Sequence, residues 1–506
     1  MPLLQRRNYR LRTIAAVLCS TALAAQTPSV LERIASRITA NDLKAGVSFL
    51  ASDALEGRGT PSRGLDIAAE YIAAEFRRAG LEPAGDDGYF QTAPFAMVTP
   101  NLEGLELTLE TGGQNIKADQ AAMALQEPRA ADVTHAAAVK ADLGALDALT
   151  EDQLKGKVLI VEVPNASGFS PEQRRDLFMR LARVPPLASK LGAALVIQLR
   201  AAGQPTNTNA RLREASSAAV PALAVWDSAV GGALVAAKAG PLEATVSAHI
   251  EAPAAAPVKL RNVIGVLRGS DPALKNTCVV VTAHYDHLGV RGTGEGDHIF
   301  NGANDDASGT ASVIEIAAAL AALAERPKRS IVFVALFGEE LGLVGSRYYA
   351  QHPVFPLLDT VADINLEQVG RTDDSEGPRV RQFNLTGFDY SNIATIFGKA
   401  GEETGIRAVK DEKKSDSYFG ASDNAAFALA GIPSTTISVT YMFPDYHKVG
   451  DEWPKLDFDN MARVDCAVAL GVLRMADSAE SPQWNRDNPK TATYVQARDA
   501  TGAKPR

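Results

Sequence analysis

The chain has 506 residues, of which 46% are hydrophobic and 22% are charged, and its formal net charge is -9. This composition is typical of a globular protein, and the length is sufficient for more than one hydrophobic core. The negative charge and the lack of a long basic run argue against nucleic acid as a partner.

The first 25 residues have the three-part layout of a secretory signal peptide. Four arginines, at positions 6, 7, 10 and 12, precede the apolar stretch TIAAVLCSTALAA, which ends in small side chains. We expect cleavage near Ala24–Gln26 and an exported protein, periplasmic or secreted. A retained membrane anchor is the alternative, but the apolar stretch is too short to span a bilayer comfortably. We therefore expect no stable membrane anchor.

The amino-acid composition of the chain changes near residue 96. Residues 26–95 contain AAEYIAAEFRRAG (68–80), an amphipathic helix pattern that ends at a glycine. Residues 96–258 are rich in alanine and contain short strand-like runs such as LELTLE, KVLIVEV, AALVIQL and AVPALAV. This segment has no cluster of histidine and acidic residues at metal-ligand spacing. We expect it to be a smaller β-rich domain, joined to the C-terminal half of the chain by a linker at EAPAAAP (251–257).

Residues 259–480 alternate between strand and helix patterns. Buried-strand patterns occupy 278–284, 330–337, 361–367 and 434–439, and helix patterns occupy 310–325 and about 458–477. Strands that are apolar throughout and alternate with helices predict an α/β domain with a largely parallel sheet covered on both faces. Cys278 and Cys466 lie in apolar runs and are expected to be buried, although the sequence leaves open whether they pair. Residues 481–506 form a polar C-terminal tail.

Polar residues capable of metal or acid–base chemistry follow the ends of these strands. They are His284, Asp286, His287, Asp305, Asp306, Glu339, Glu340, Glu367 and His447. Ligands of open α/β sheets bind outside the carboxyl ends of the strands, so these side chains are expected to meet. Each has an ordinary explanation on its own; the pair in NGANDDASGT, for example, could simply cap the following helix.

Histidines and carboxylates without thiols suit Zn²⁺ or a similar metal. The set is too large for one tetrahedral zinc ion, and it fits two metals about 3.5–4 Å apart that share a carboxylate. One carboxylate must stay free of metal to accept a proton, and the adjacent Glu339 and Glu340 can divide these two tasks. Asp286 lies two residues after His284, where it can accept the second ring N–H of that histidine.

The motifs AHYDHLG, NGANDDASGT, FGEELGLVGS, NLEQVGR, SDNAAF and DYHKVGD, in this order, resemble the secreted di-zinc aminopeptidases. These are co-catalytic zinc exopeptidases related to bacterial leucyl aminopeptidases and to aminopeptidase Y. The resemblance covers 40–95 and 259–460, since SDALEGRGTPSRG also looks like the opening segment of that family. It implies a three-layer α/β/α catalytic domain formed by 26–95 and 259–480, with a central mixed sheet.

The resemblance also implies a role for each site residue. His284 and Glu367 would bind the first zinc, Glu340 and His447 the second, and Asp305 would bridge both. Glu339 would be the general acid/base, Asp286 would orient His284, and Tyr446 matches a tyrosine that helps to hold the oxyanion. The peptide bond between Asp305 and Asp306 would be cis.

Three features depart from the family pattern. Glu367 stands where Asp is commoner, KVGDEW follows His447 in place of the usual Thr and later Asp-Thr, and SDN replaces SDH at 422–424. Residues 96–258 resemble an inserted protease-associated domain, which in the family is thought to modulate substrate access.

The hypothesis from sequence is an aminopeptidase that uses two Zn²⁺ ions to cleave peptides with a free N-terminus. A carboxypeptidase or dipeptidase is the alternative, and it needs a cationic pocket, for which Arg58, Arg371 and Lys448 are candidates. A metal-free binding protein and a single-zinc cyclase on the same scaffold also stay open.

Overall fold

The computed structural model describes residues 28–201, 209–215 and 219–502. The expected signal peptide, residues 1–25, lies outside this part of the chain. Across the described ranges, no helix is both long enough and apolar enough to cross a membrane.

The helices begin at polar caps where the sequence supplies them. The side chain of Ser62, for example, accepts a hydrogen bond from the N–H of Leu65, which starts a helix whose Leu65, Ile72 and Phe76 face the core. The helices are α1 (Val30–Ala35), α2 (Ala40–Leu50), α3 (Arg63–Arg78), α4 (Glu151–Leu154), α5 (Pro171–Lys190), α6 (Ser228–Val235), α7 (Ser308–Ala321), α8 (Val344–Gln351), α9 (Ile393–Thr404), α10 (Asn424–Leu429), α11 (Phe458–Asp477) and α12 (Ala492–Ala500).

The strands fall mainly into two large sheets. They are β1 (Glu82–Pro83), β2 (Phe90–Thr99), β3 (Glu106–Thr111), β4 (Gln114–Lys117), β5 (Met123–Glu127), β6 (Ala131–Ala141), β7 (Val158–Glu162), β8 (Leu195–Leu199), β9 (Arg211–Glu214), β10 (Ala222–Val225), β11 (Gly240–Ile250), β12 (Ala254–Leu267), β13 (Cys278–His284), β14 (Gly289–Val290), β15 (Ile299–Phe300), β16 (Ser330–Leu336), β17 (Thr360–Leu366), β18 (Asp373–Asp374), β19 (Gly377–Pro378), β20 (Gln382–Leu385), β21 (Arg407–Val409) and β22 (Ser434–Ser438).

The larger sheet is mixed and has the order β21-β20-β22-β17-β13-β16-β12-β2-β9. Its centre, β22-β17-β13-β16, is parallel throughout. The outer pairs β12–β16, β12–β2, β2–β9 and β20–β22 are antiparallel. The expected α/β fold with a central mixed sheet is confirmed.

Both faces of the larger sheet are buried, because alternate residues of the central strands point to opposite sides. On one face, Val279, Val281 and Phe333 pack with α1, α2, α3, α7, α9 and α11. On the other face, Val280 and Val332 pack in a cluster that includes side chains of α8 and α10. The result is the three-layer arrangement expected from the sequence.

The second sheet has the order β4-β3-β11-β6-β7-β8-β10-β5 and has apolar clusters of its own. The chain enters the second sheet after β2 and leaves it at β12. These two strands pair antiparallel within the larger sheet. The linker expected at 251–257 is wrong in its second half: residues 254–257 begin β12 and pair with Ala96–Thr99. Alanine-rich and proline-containing sequence is typical of a spacer, but the exposed start of β12, which pairs with β2 and not with β16, tolerates it as well.

The described part of the polar tail, residues 481–502, packs against the part of the chain that contains the larger sheet. Trp484 donates a hydrogen bond from its indole N–H to the carbonyl of Gly431 and stacks on Tyr494 of α12. Cys278 and Cys466 are both buried free thiols.

Candidate active site

The carboxyl ends of the parallel strands bring most of the expected side chains together. His284 ends β13, Glu367 follows β17 directly, and Asp305 lies in the turn before α7. Ligand atoms of these three residues lie within 4.8 Å of one another. The Nε2 of His284 is 3.3 Å from Oδ1 of Asp305.

A second group meets on the other oxygen of Asp305. Nε2 of His447 is 3.1 Å from Oδ2 of Asp305 and 3.4 Å from Oε1 of Glu340. His287, Asp305 and Glu340 also offer ligand atoms within 4.8 Å of one another. One carboxylate therefore stands between two clusters of donors, which is the arrangement expected of a bridging ligand.

His287 is a site residue to which the sequence alone assigns no role. Its Nδ1 is 2.8 Å from Oε1 of Glu340 and 4.0 Å from Oδ2 of Asp305, and its side chain is fully buried. The imidazole packs directly on the backbone of Gly302, where any Cβ would collide with the ring. The signal is present in AHYDHLG, which places a second histidine three residues after His284.

The donor atoms fit a metal rather than a hydrogen-bond network. Nε2 of His284, Nδ1 of His287 and Oε1 of Glu340 are all buried, and none makes a well-aligned hydrogen bond, although Nδ1 of His287 lies 2.8 Å from Oε1 of Glu340. Buried polar atoms in proteins are almost always paired, so these convergent donor atoms fit a metal site. Imidazole nitrogens and carboxylate oxygens without thiolates suit zinc.

The electrostatics of the cluster lead to the same conclusion. Burial and the nearby charges of Glu367 and Asp423 raise the pKa of Glu339 well above its usual value, although His284 opposes the shift. Burial also raises the pKa of Glu367 to about 7, again against the effect of His284. Carboxylates crowded in a buried site must take up protons or bind cations.

The backbone around Asp305 is fixed by residues distant in sequence. The buried guanidinium of Arg58 donates to the carbonyls of Leu50, Tyr285, Asn301 and Gly302. Asp451, in the segment after His447, accepts hydrogen bonds from the same turn. The sequence suggests Arg58 only as a substrate-binding cation, and it indicates no role for Asp451.

Asp306 differs in role from its neighbour. Its Oδ1 accepts hydrogen bonds from the N–H groups of Gly309, in the first turn of α7, and of Gln368. Asp306 thus binds an N–H in the first turn of α7 although the N-cap residue is Ala307, so the helix-cap explanation holds only in part, whereas Asp305 faces the donor clusters. The peptide bond between them is cis, as the resemblance implied.

Asp286 lies beside His284, but its contacts differ in detail from the expectation. Nδ1 of His284 is 3.1 Å from the backbone carbonyl of Asp286 and 3.6 Å from its carboxylate. The carboxylate accepts hydrogen bonds from the N–H of Glu339 and the hydroxyl of Thr60, each at 3.1 Å. Asp286 thus positions both His284 and the backbone of Glu339.

A cavity of about 70 Å³ opens beside the donor clusters. It is lined by Asp305, Glu339, Glu367, Gln368, Thr386, Tyr418, Ala421, Ser422, Thr436, Ser438, Tyr441, Tyr446 and His447. The ring of Tyr446 stacks on that of His447, with centroids 4.0 Å apart. No lysine or arginine is among these lining residues, so the local charge is negative.

Comparison with known proteins identifies the part of the chain that builds this site. Residues 262–471 match the model of Peptidase family M28. This segment is therefore similar to the M28 peptidases. All residues of the donor clusters, from His284 to His447, fall within the matched segment.

The curated relatives of this chain are peptidases by name. A "Probable zinc metalloprotease" of Pyricularia oryzae is 29% identical over 268 residues, covering 44% of this chain and 52% of the relative. "Aminopeptidase YwaD" of Bacillus subtilis is 27% identical over 231 residues, covering 44% of this chain and 46% of the relative. The chain thus aligns with about half of the length of these relatives.

A solved structure extends the likeness of the fold beyond the matched segment. The aminopeptidase from Aneurinibacillus sp. strain AM-1 matches with a TM-score of 0.50 at 21% identity, covering 87% of this chain and 95% of that chain. At this identity the likeness concerns the fold.

Proposed function

We propose that this protein is an exported aminopeptidase that removes one residue from the free N-terminus of peptides. The observation that carries the proposal is the cavity beside the donor clusters, which is lined by carboxylates and by no cation. Once the metals are bound, Glu339 remains as a lining carboxylate free of metal that can pair with the free ammonium group of a peptide, whereas the wall has no lysine or arginine to pair with a substrate carboxylate. The names of the relatives support a peptidase of this kind.

Two zinc ions would be held by the donor clusters. His284, Asp305 and Glu367 would hold the first, and Asp305, Glu340 and His447 the second, with His287 as a further donor beside it. When bound, the ions supply Lewis acidity at the scissile carbonyl. Asp305 keeps the two groups together because its carboxylate oxygens face different clusters.

Glu339 would move the proton in the reaction. Burial raises the pKa of its carboxyl well above the ordinary value, which is the direction that favours a group that accepts and then returns a proton. The carboxylate of Asp286 accepts a hydrogen bond from the backbone N–H of Glu339. Glu339 is therefore oriented through its backbone, and its side chain would not need to bind a metal. The carboxylate lies beside the first donor cluster, with Oε2 of Glu339 4.0 Å from Nε2 of His284.

The three cations considered for a carboxypeptidase do not line the cavity. Arg58 is buried on backbone carbonyls, and the guanidinium of Arg371 is bound to Asp373 and Asp445. The ammonium of Lys448 donates to the carbonyl of Pro444. Arg58 and Arg371 are thus engaged within the fold, and Lys448, which is exposed, does not line the cavity.

We assign the second sheet to a protease-associated domain within 96–258 that limits access of large substrates. Its support is the sequence resemblance and the separate apolar clusters of this region. Export rests on the N-terminal sequence pattern.

Metal analysis and a substrate panel test the proposal. We expect about two zinc ions per chain and cleavage of aminoacyl p-nitroanilides, with no cleavage of the N-acetylated forms. Chelation should abolish activity, and zinc should restore it. Equal cleavage of blocked and free substrates would overturn the aminopeptidase assignment.

A further inference from the structure

Residues of both large sheets line a pocket that is separate from the cavity beside the donor clusters. It has a volume of about 810 Å³, and its wall includes parts of α5, β5, β8, β9 and α8. Five of its lining residues are cationic: Lys190, Arg200, Arg211, Arg213 and Arg347. The chain as a whole has a net charge of -9, so this concentration of positive charge is local, and we call it the basic pocket.

The protein supplies little negative charge to the basic pocket. Among the lining residues that the structure describes, Glu127 is the only acidic one, and its Oε2 pairs with Nε of Arg213 at 2.9 Å. The neighbouring sequences AGQPTNT (202–208) and SSA (216–218) contain no acidic residue. Five cations against one carboxylate leave the described wall with an excess of four positive charges.

The guanidinium groups of the basic pocket repel one another. Burial lowers the pKa of Arg211 from its ordinary value, and the charges of Arg213 and Arg200 lower it further, although Glu127 opposes the shift. Burial also lowers the pKa of Arg200. Arginine nevertheless stays protonated in proteins, so the repulsion persists at neutral pH. An anion bound among these groups would relieve it.

One wall of the basic pocket is apolar. Phe178 of α5 is 63% exposed, and Leu181 and Pro186 of the same helix line the pocket as well. Guanidinium groups bind carboxylates through two parallel hydrogen bonds, and an apolar wall suits aliphatic groups beside them. An acidic peptide offers both kinds of group.

The basic pocket lies on the same side of the larger sheet as the donor clusters. Strand β12 is antiparallel to both β16 and β2, so β2 runs parallel to β16, and β9 pairs with the carboxyl half of β2. The segment that contains Glu340 continues into α8, where Arg347 follows seven residues later. Seven residues span at most about 25 Å, which is also the reach of about seven residues of an extended peptide.

We propose that the basic pocket is an exosite, a substrate-binding site apart from the reacting atoms, that binds acidic side chains of a peptide several residues after the scissile bond. A peptide held in this way has its free ammonium group near Glu339 and its negative charges at the arginines, so each end meets the opposite charge. This inference rests on the proposed aminopeptidase function. It makes the second sheet a contributor to substrate choice as well as a barrier.

Two decapeptides that differ only at positions six to eight test the inference. Both begin with leucine, have alanine elsewhere and end in an amide, and they carry either three aspartates or three asparagines. For the zinc-loaded protein we expect kcat/KM to be about fivefold higher for the aspartate peptide, mainly through KM, which corresponds to one or two partly screened ion pairs. The advantage should shrink as the ionic strength rises.

Substitution of the pocket arginines locates the effect. Arg347→Gln and Arg200→Gln should each lower the aspartate-to-asparagine ratio of kcat/KM about twofold and leave hydrolysis of the asparagine peptide unchanged. Arg326→Gln is the matched control, because Arg326 is an exposed arginine between α7 and β16, at the opposite edge of the larger sheet. It should keep the wild-type ratio. An unchanged ratio in both pocket variants would overturn the inference.

Calorimetric binding of both peptides to the zinc-loaded Glu339→Gln variant separates the inference from the proposed function. Tighter binding of the aspartate peptide, with no hydrolysis of either peptide by the wild type, would support the exosite and overturn the aminopeptidase. Hydrolysis of both peptides with equal kcat/KM and equal binding would overturn the exosite and leave the aminopeptidase. Inorganic phosphate is the second probe. Phosphate binding that Arg347→Gln abolishes, together with equal binding of the two peptides, would assign the basic pocket to a small anion and overturn the exosite.

Discussion

The carboxylate of Asp451 accepts a hydrogen bond from the backbone N–H of Asp305, with Oδ2 3.0 Å from the nitrogen. The same carboxylate accepts from the N–H of Asn304, and the carbonyl of Asp451 accepts from Ala303. Three consecutive N–H groups of the turn are thus satisfied by one residue of the segment after His447. Two donors to the expected second metal, Asp305 and His447, are therefore tied to each other through the backbone.

Replacing Asp451 with alanine should weaken both the fold and the metal site. Two buried N–H groups lose their acceptor, and each such loss costs about 1–3 kcal/mol. We expect urea denaturation of the metal-free protein to show a lower free energy of unfolding, and zinc titration to show weaker binding. Asp459→Ala is the control, because Asp459 is exposed in the first turn of α11. An unchanged urea midpoint for Asp451→Ala would contradict this role.

Glu339 and Glu340 are neighbours whose conservative substitution should have different effects. Glu339→Gln should lower kcat by about 10²–10⁴-fold with zinc content unchanged, because it removes the proton acceptor. Glu340→Gln should lose zinc, because Oε1 of Glu340 faces both His287 and His447. Activity assays and metal analysis on the same preparations measure the two outcomes. Full kcat in Glu339→Gln would show that another group moves the proton.

The sequence predicted the central strands within a residue or two of the observed bounds, because uninterrupted apolar runs such as CVVVTAH have few alternatives to a buried strand. It also predicted which strand ends carry donors, since parallel strands share a carboxyl edge. The sequence did not predict side-chain contacts between distant loops. Asp451 binds a turn 146 residues earlier in the chain, and no local pattern specifies such a pairing. The second half of the linker at 251–257 became a strand through pairing with β2, a tertiary effect.

His287 should act as a zinc donor in the second cluster. We expect His287→Ala to weaken binding of one zinc ion at least tenfold, measured by competition with a chromophoric chelator, while the other ion is held as before. The cobalt-substituted protein should show a changed visible absorption spectrum, which reports the donor set independently of activity.

His298→Ala provides the control for that experiment. His298 contacts the carbonyl of Gly294 in the loop before β15, outside the donor clusters. Its substitution should leave both zinc affinities and the cobalt spectrum unchanged. An unaltered cobalt spectrum in His287→Ala would mean that His287 does not bind the metal.

Asp465 should make stability depend on pH away from the active site. It is a fully buried residue of α11, where Oδ2 accepts a hydrogen bond from Ser312 of α7 and Oδ1 has no partner. Burial raises the pKa of Asp465 to about 8, from an ordinary value of 3.8. The folded state therefore holds a proton that the unfolded chain has released between these values.

Because the folded state binds the extra proton, the free energy of unfolding should fall as pH rises from about 4 to about 8, by up to about 1.4 kcal/mol per pH unit from this group. Asp465→Asn is neutral at every pH and can still accept from Ser312, so it should lack this contribution. We expect its stability relative to wild type to increase from pH 5 to pH 8 in urea denaturation of the metal-free protein. Asp459→Asn, exposed on the same helix, should follow the wild-type curve. Parallel curves for Asp465→Asn and wild type would mean that Asp465 is ionised in the folded protein.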